Sequence, residues 1–145
     1  MLPISRYHIY SPGKVRKNWT KEGISSYMKR LPGLRIHQLR ESTPQKEAEA
    51  VESLIKNGEI LIALTEEGES FGSVQLAHKL QEFGSKNIIF FVGGSQGIHP
   101  PLKKSANILL SLSSLTFPHE VALLILIEQI YRAQSITQGS PYHRQ

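Results

Sequence analysis

The run Gly93-Gly94-Ser95-Gln96-Gly97 follows directly on the apolar segment Asn87 to Val92. Glycine lets backbone approach a ligand closely, so this run is either a ligand-cradling loop or a tight strand-to-helix turn. Its G-G-x-x-G spacing departs from the dinucleotide pattern G-x-G-x-x-G, and no acid follows about twenty positions on. A second segment, Ser111-Leu112-Ser113-Ser114-Leu115-Thr116-Phe117-Pro118-His119, mixes small polar residues with apolar ones. Small side chains leave backbone N–H and C=O groups open, while Leu112, Leu115 and Phe117 offer apolar walls. That mixture suits a flat heteroaromatic ring such as adenine, or an N-cap loop packed on a core. His119 stands at the start of a long helical pattern, where an added positive charge is disfavoured, which predicts a neutral imidazole. The end of the chain carries Tyr142-His143-Arg144, with Tyr131-Arg132 upstream. Tyr and His can stack on a base and Arg can pair with phosphate.

The elements that position these residues follow from periodicity and turn chemistry. Ile4 to Tyr10 is predicted as a first strand, ended by Ser11-Pro12-Gly13. Trp19, Ile24, Tyr27, Met28 and Leu31 recur at helical spacing, and Pro32-Gly33 stops that helix. Leu34, Ile36 and Leu39 fit a second strand. Thr43-Pro44 with Glu47 and Glu49 opens a helix that should run to about Lys56. Ile60 to Leu64 is a continuous apolar run, as in a strand buried on both faces, and Thr65 to Gly72 should be a loop. A helix over 73–83, a strand over 87–92, a short helix after Pro100-Pro101, a strand over 107–112 and a long helix over 119–135 complete the pattern. The tail from Gln138 to Gln145 should be irregular. Alternation of this kind predicts an α/β fold, a largely parallel-type sheet flanked by helices, over residues 1–145 as a single domain. In such sheets ligands bind at the carboxyl ends of the strands. That rule selects the loops after Leu64, after Val92 and after Leu112.

Composition narrows the chemistry. The 145 residues include no Cys, and all twelve acids are Glu. Thiolate nucleophiles, disulfides, Cys-ligated zinc and the usual Asp-built sites are thereby excluded. The six His residues show no close pairing, so no metal is expected. Net charge is +5 and uneven: +8 over residues 1–46, −6 over 47–84 and +3 over 85–145. A basic front third is either a solubilising surface or a seat for a polyanion. No apolar leader or membrane-length run appears, which predicts a cytoplasmic chain without a membrane partner. Val121 to Ile127 is apolar without a break. One face of such a helix can meet the sheet, and the other then calls for a second subunit, predicting a homodimer.

Several blocks together resemble the RlmH family of ribosomal RNA methyltransferases, in the SPOUT superfamily. They are Gly13-Lys14, YMKRL at 27–31, FVGGSQG at 91–97, LSSLTFPH at 112–119, IEQIYRA at 127–133 and PYHR at 141–144. The resemblance spans nearly the whole chain, and the combination of LTFPH, YRA and a terminal YHR carries it. It implies a SPOUT α/β-knot with a carboxyl-terminal trefoil knot, working as a homodimer. It implies transfer of methyl from S-adenosyl-L-methionine to N3 of a pseudouridine in 23S rRNA of the assembled ribosome. The cofactor pocket would use Leu64, Gly93, Gly94 and the run Leu112, Ser113, Ser114, Leu115, Thr116 and Phe117. Arg132 and Arg144 would serve as electrostatic or phosphate contacts, Tyr142 and His143 would hold the base, and His119 or His143 would accept the N3 proton. The last residues would close over the cofactor, within one chain or across the dimer. Members of the family commonly carry an acid directly after the strand leucine. Here Leu64 is followed by Thr65, then Glu66 and Glu67, so either a neighbouring Glu substitutes or affinity differs. Two other readings are a non-catalytic RNA-binding module of the same fold and a small hydrolase using a Ser beside His119. The lack of Asp and of a G-x-S-x-G elbow opposes the hydrolase.

Overall fold

Five strands hydrogen-bond in the order β2-β1-β4-β3-β5, and every pairing is parallel. The computed structural model describes residues 1–94 and 96–144. Ser95 of the glycine loop and Gln145 of the tail lie outside the described residues. The strands are β1 (Tyr7–Pro12), β2 (Arg35–Leu39), β3 (Ile60–Ser70), β4 (Ile88–Val92) and β5 (Ile108–Ser111). The helices are α1 (Asn18–Met28), α2 (Pro44–Glu52), α3 (Ser73–Glu82), α4 (Pro100–Ser105) and α5 (His119–Gln138).

The apolar runs explain the layering. β4 is buried along its whole length, as are the first five residues of β3, because helices cover both faces. Tyr7, Ile9, Ile62, Ile88 and Phe90 face α3 and α5, with Ile24, Tyr27 and Met28 of α1 packed alongside. Leu61, Ala63, Ile89 and Phe91 face the other way, onto Ala48 and Val51 of α2 and Leu102 of α4. Thr43 caps α2 by accepting from the Lys46 N–H, and Pro44 takes the first turn, as its sequence predicts.

The structure corrects several expectations. Ile4–Arg6 forms a 3-10 turn rather than strand, because this turn folds Leu2 and Ile4 into the core. The strand instead continues through Ser11 and Pro12, where the turn signal stood; Pro12, as the terminal residue, breaks no interior ladder. Trp19, which the helical spacing groups with Ile24, Tyr27, Met28 and Leu31, is 57% exposed, since the buried stripe of α1 begins at Thr20, about 100° around the helix. α2 stops at Glu52, four residues before Lys56. Residues 65–70 are not simply loop: Leu64 and Glu69 both pair with Leu110, so residues 65–68 bulge out and the strand then resumes. α5 extends to Gln138, where Gly139 adopts the left-handed conformation (φ 71°) and the Ser140 N–H caps the Ser135 carbonyl.

Candidate active site

The carboxyl ends of β3, β4 and β5 converge on one cavity of about 620 Å³. All three loops selected from sequence line it. Leu64, Gly93, Gly94, Leu112, Ser113, Leu115, Thr116 and Phe117 all contribute, and so does His119. Ser114 does not; it is exposed outside the lining. Gly93 has a steric reason to be glycine, for a Cβ there would stand 2.7 Å from the Ile98 side chain that forms part of the wall. Leu115 is 71% exposed, an apolar flap over an open mouth.

The loop after β5 holds itself in shape. The Ser111 hydroxyl donates to the Ser113 carbonyl (3.0 Å), and the Leu115 N–H donates to Ser113 Oγ (3.0 Å). The bulge of β3 grips it from the side, since Thr116 donates to Glu66 Oε1 at 3.1 Å. Glu67 pairs with Lys103 Nζ of α4 (2.9 Å), and that hydrogen bond holds its carboxyl below the usual range. Thr65, Glu66, Glu67 and Lys103 all line the cavity. Two acids thus stand next to the position after Leu64, although Thr65 occupies that position itself. Lys103 was not legible as a site residue, because α4 meets the bulge only in the fold.

His119 enters the cavity from the first turn of α5. Its Nε2 hydrogen-bonds Ser11 Oγ, contributed by β1, 108 positions away. Burial pushes the imidazole below its ordinary 6.5, against the opposing pull of Glu120, Glu41 and Glu47. The neutral form predicted from the helix start is therefore the form the site favours, with desolvation as the larger cause. A serine does stand beside this histidine, but Ser11 is 3% exposed and outside the cavity lining. Glu47, read from sequence as a first-turn dipole partner, is 4% exposed. Its Oε2 accepts from the Ser42 N–H (3.0 Å), and its Oε1 faces Gly94 from behind.

The remaining predicted residues gather elsewhere. Arg132 Nε donates to Glu128 (3.0 Å), and Arg132 Nη1 donates to His143 Nδ1 (3.1 Å). The guanidinium carbon sits 4.8 Å from the centre of the Tyr142 ring. The Tyr142 hydroxyl bonds that of Tyr27 (3.2 Å), and its ring meets Tyr131 edge-on at 4.7 Å. Desolvation and then the Tyr27 bond push the Tyr142 phenol up to about 12. Arg144 is exposed beside this cluster. Because a guanidinium can only donate, His143 Nδ1 is an acceptor and Nε2 carries the proton. That N–H is buried without a partner among the described residues. Arg132 lies 13 residues from His119, about 20 Å along the axis of α5. Within one chain the tail therefore packs on α5 and α1 and does not close the cavity.

A family model described as "Predicted SPOUT methyltransferase" matches residues 5–143. The chain is 53% identical over 145 residues to the ribosomal RNA large subunit methyltransferase H of a Prochlorococcus marinus strain, covering 100% of both chains. The chain belongs to the methyltransferase H family of SPOUT proteins. The methyltransferase H of Synechococcus sp. (strain CC9902) is 50% identical over 140 residues, 97% of each chain. SPOUT architecture also extends to distant solved structures. A probable methylase family protein from Haemophilus influenzae Rd KW20 superposes with a TM-score of 0.61 at 10% identity, over 97% of this chain and 71% of that one. The SpoU methyltransferase AviRb from Streptomyces viridochromogenes gives 0.53 at 10% identity, over 96% and 63%. For this SPOUT chain, no group of three metal-ligating side chains is gathered among the described residues. None of its described helices is long and apolar enough to cross a membrane.

Proposed function

We propose that the chain methylates N3 of a pseudouridine in large-subunit ribosomal RNA on the assembled ribosome. S-adenosylmethionine is the donor, and the enzyme is a cytoplasmic homodimer with a knotted carboxyl-terminal half. The observation that carries this reading is the cavity at the ends of β3, β4 and β5, with the His119 imidazole in its wall. Its size lies within the range of small-molecule pockets. Apolar Leu64, Leu112 and Phe117 with the bare backbone of Gly93 fit a nucleoside, and Glu66 fits its cationic end, Glu67 being already paired with Lys103. When bound, the cofactor supplies an electrophilic methyl on a sulfonium.

The protein's part is to orient the base and remove its proton. N3–H of a uracil-type ring lies between two carbonyls, so its anion spreads onto oxygen and responds to a nearby cation. His119 is the acceptor we favour. His143 has its one lone pair committed to Arg132, and so is a donor. Arg132 and Arg144 supply positive charge, and Tyr142 supplies a face for the base. The separation of about 20 Å along α5 supports their acting in the cavity of a second copy. So does the buried His143 N–H, which has no acceptor among the described residues. Val121, Leu124 and Ile125 remain half-exposed on α5, as an isologous contact would require. The grip of the β3 bulge on the loop before α5 supports a threaded carboxyl-terminal half.

The test is mass spectrometry of ribosomal RNA nucleosides from cells lacking the protein, before and after complementation. One methylpseudouridine should vanish and return. If it is unchanged, the reading fails. If complementation fails while calorimetry shows no cofactor heat, the chain is an RNA-binding module instead.

A further inference from the structure

Trp19 is the chain's sole tryptophan and is 57% exposed, unlike the apolar residues Ile24, Tyr27 and Met28 that share its helix. Around it Lys14, Arg16, Lys17 and Lys21 are all exposed, and no acid occurs between Gly13 and Lys21. The segment leaves β1 at the carboxyl rim of the sheet, the rim that opens the cavity. It is also anchored there: Glu120 accepts from the backbone N–H groups of Arg16 (2.9 Å) and Lys17 (3.2 Å). Glu120 directly follows His119, so the aromatic ring and the imidazole are mounted on one joint.

We propose that Trp19 is a stacking platform for an unpaired base of the RNA strand beside the target nucleotide, with the four cations taking its flanking phosphates. This rests on the RNA substrate argued above and adds the residue that seats the strand. An indole face is indifferent to base identity and gains by stacking, while the cations gain only from a polyanion. A protein partner covering the indole would also have to neutralise four cations. An RNA strand meets both needs at once.

The sole tryptophan makes the test direct. A short oligouridylate should quench the emission of the wild-type protein, and rising salt should relieve the quenching. On ribosomes from cells lacking the enzyme, Trp19→Leu should raise KM roughly five- to hundredfold, the range that loss of one stacked base gives. Its kcat and its calorimetric affinity for S-adenosylmethionine should stay as in wild type, and Trp19→Phe should recover most of the loss. Unquenched emission overturns the proposal, and so does wild-type KM in Trp19→Leu. A Trp19→Leu variant that elutes as a smaller particle than wild type also overturns it, by assigning the indole to a second copy. Should Trp19→Leu not fold, the quenching and Trp19→Phe decide. Wild-type protein inactive on ribosomes would sink the proposed function itself, a result separate from any of these.

Discussion

The cavity at the carboxyl rim and the cluster around the tail are built in opposite ways. The cavity is made of backbone, small residues and apolar walls, and stays open to solvent. The tail cluster is made of large side chains that bond one another, Arg132 with Glu128 and His143, and Tyr142 with Tyr27, leaving the His143 Nε2 without a partner among the described residues. One region is preformed for a guest, the other for holding charged and aromatic groups in fixed directions. Within one chain the two regions stand apart, about 20 Å along α5.

The strongest way to break that comparison is to damage each region alone. Gly93→Val should abolish cofactor heat in calorimetry, because the added side chain collides with Ile98. Arg132→Ala should leave that heat intact yet lower turnover on ribosomes about a hundredfold or more, as loss of a transition-state cation does. Mixing the two variants should restore part of the activity if the tail serves a second copy; no recovery would confine both halves to one chain.

A smaller effect concerns pH. Burial depresses the His119 pKa below 6.5, so the native chain binds this proton less readily than the unfolded one. The linked stability is complete above pH 6.5 and is lost as pH falls toward the native value. His8 and His37 are depressed too, chiefly by burial, and add to the same trend. Turnover separates them. Its acid limb should have a midpoint below 6.5 and should disappear in His119→Gln along with most of the rate. A limb that persists in His119→Gln assigns proton transfer elsewhere. The smallest effect sharpens the tail region: Gly139→Ala places a side chain at positive φ and should cost about 1 kcal/mol. Thermal melting should drop by a few degrees.

Much of the site was legible because strand ends are legible. Leu64, Val92 and Leu112 close apolar runs, and a parallel sheet must bring such ends to one rim. The Ser11–His119 bond was not legible, since nothing local links β1 to the start of α5. Trp19 misled for a different reason. Ile24, Tyr27 and Met28 do face inward, but Trp19 stands five residues before Ile24, about 140° around the helix, and Thr20 takes the buried place instead. The second half of β3 reads as loop because its pairing with β5 resumes only after a bulge, a tertiary event. The engagement of the tail with α5 and α1 likewise depends on partners more than a hundred positions apart, such as Tyr27 and Tyr142.

Glu120 fastens the loop before α1 to the first turn of α5 with two main-chain bonds. Those clasps set the spacing between the indole and the imidazole within the chain itself, so a transcript would meet a proton acceptor already in place and seating it would cost no rearrangement there.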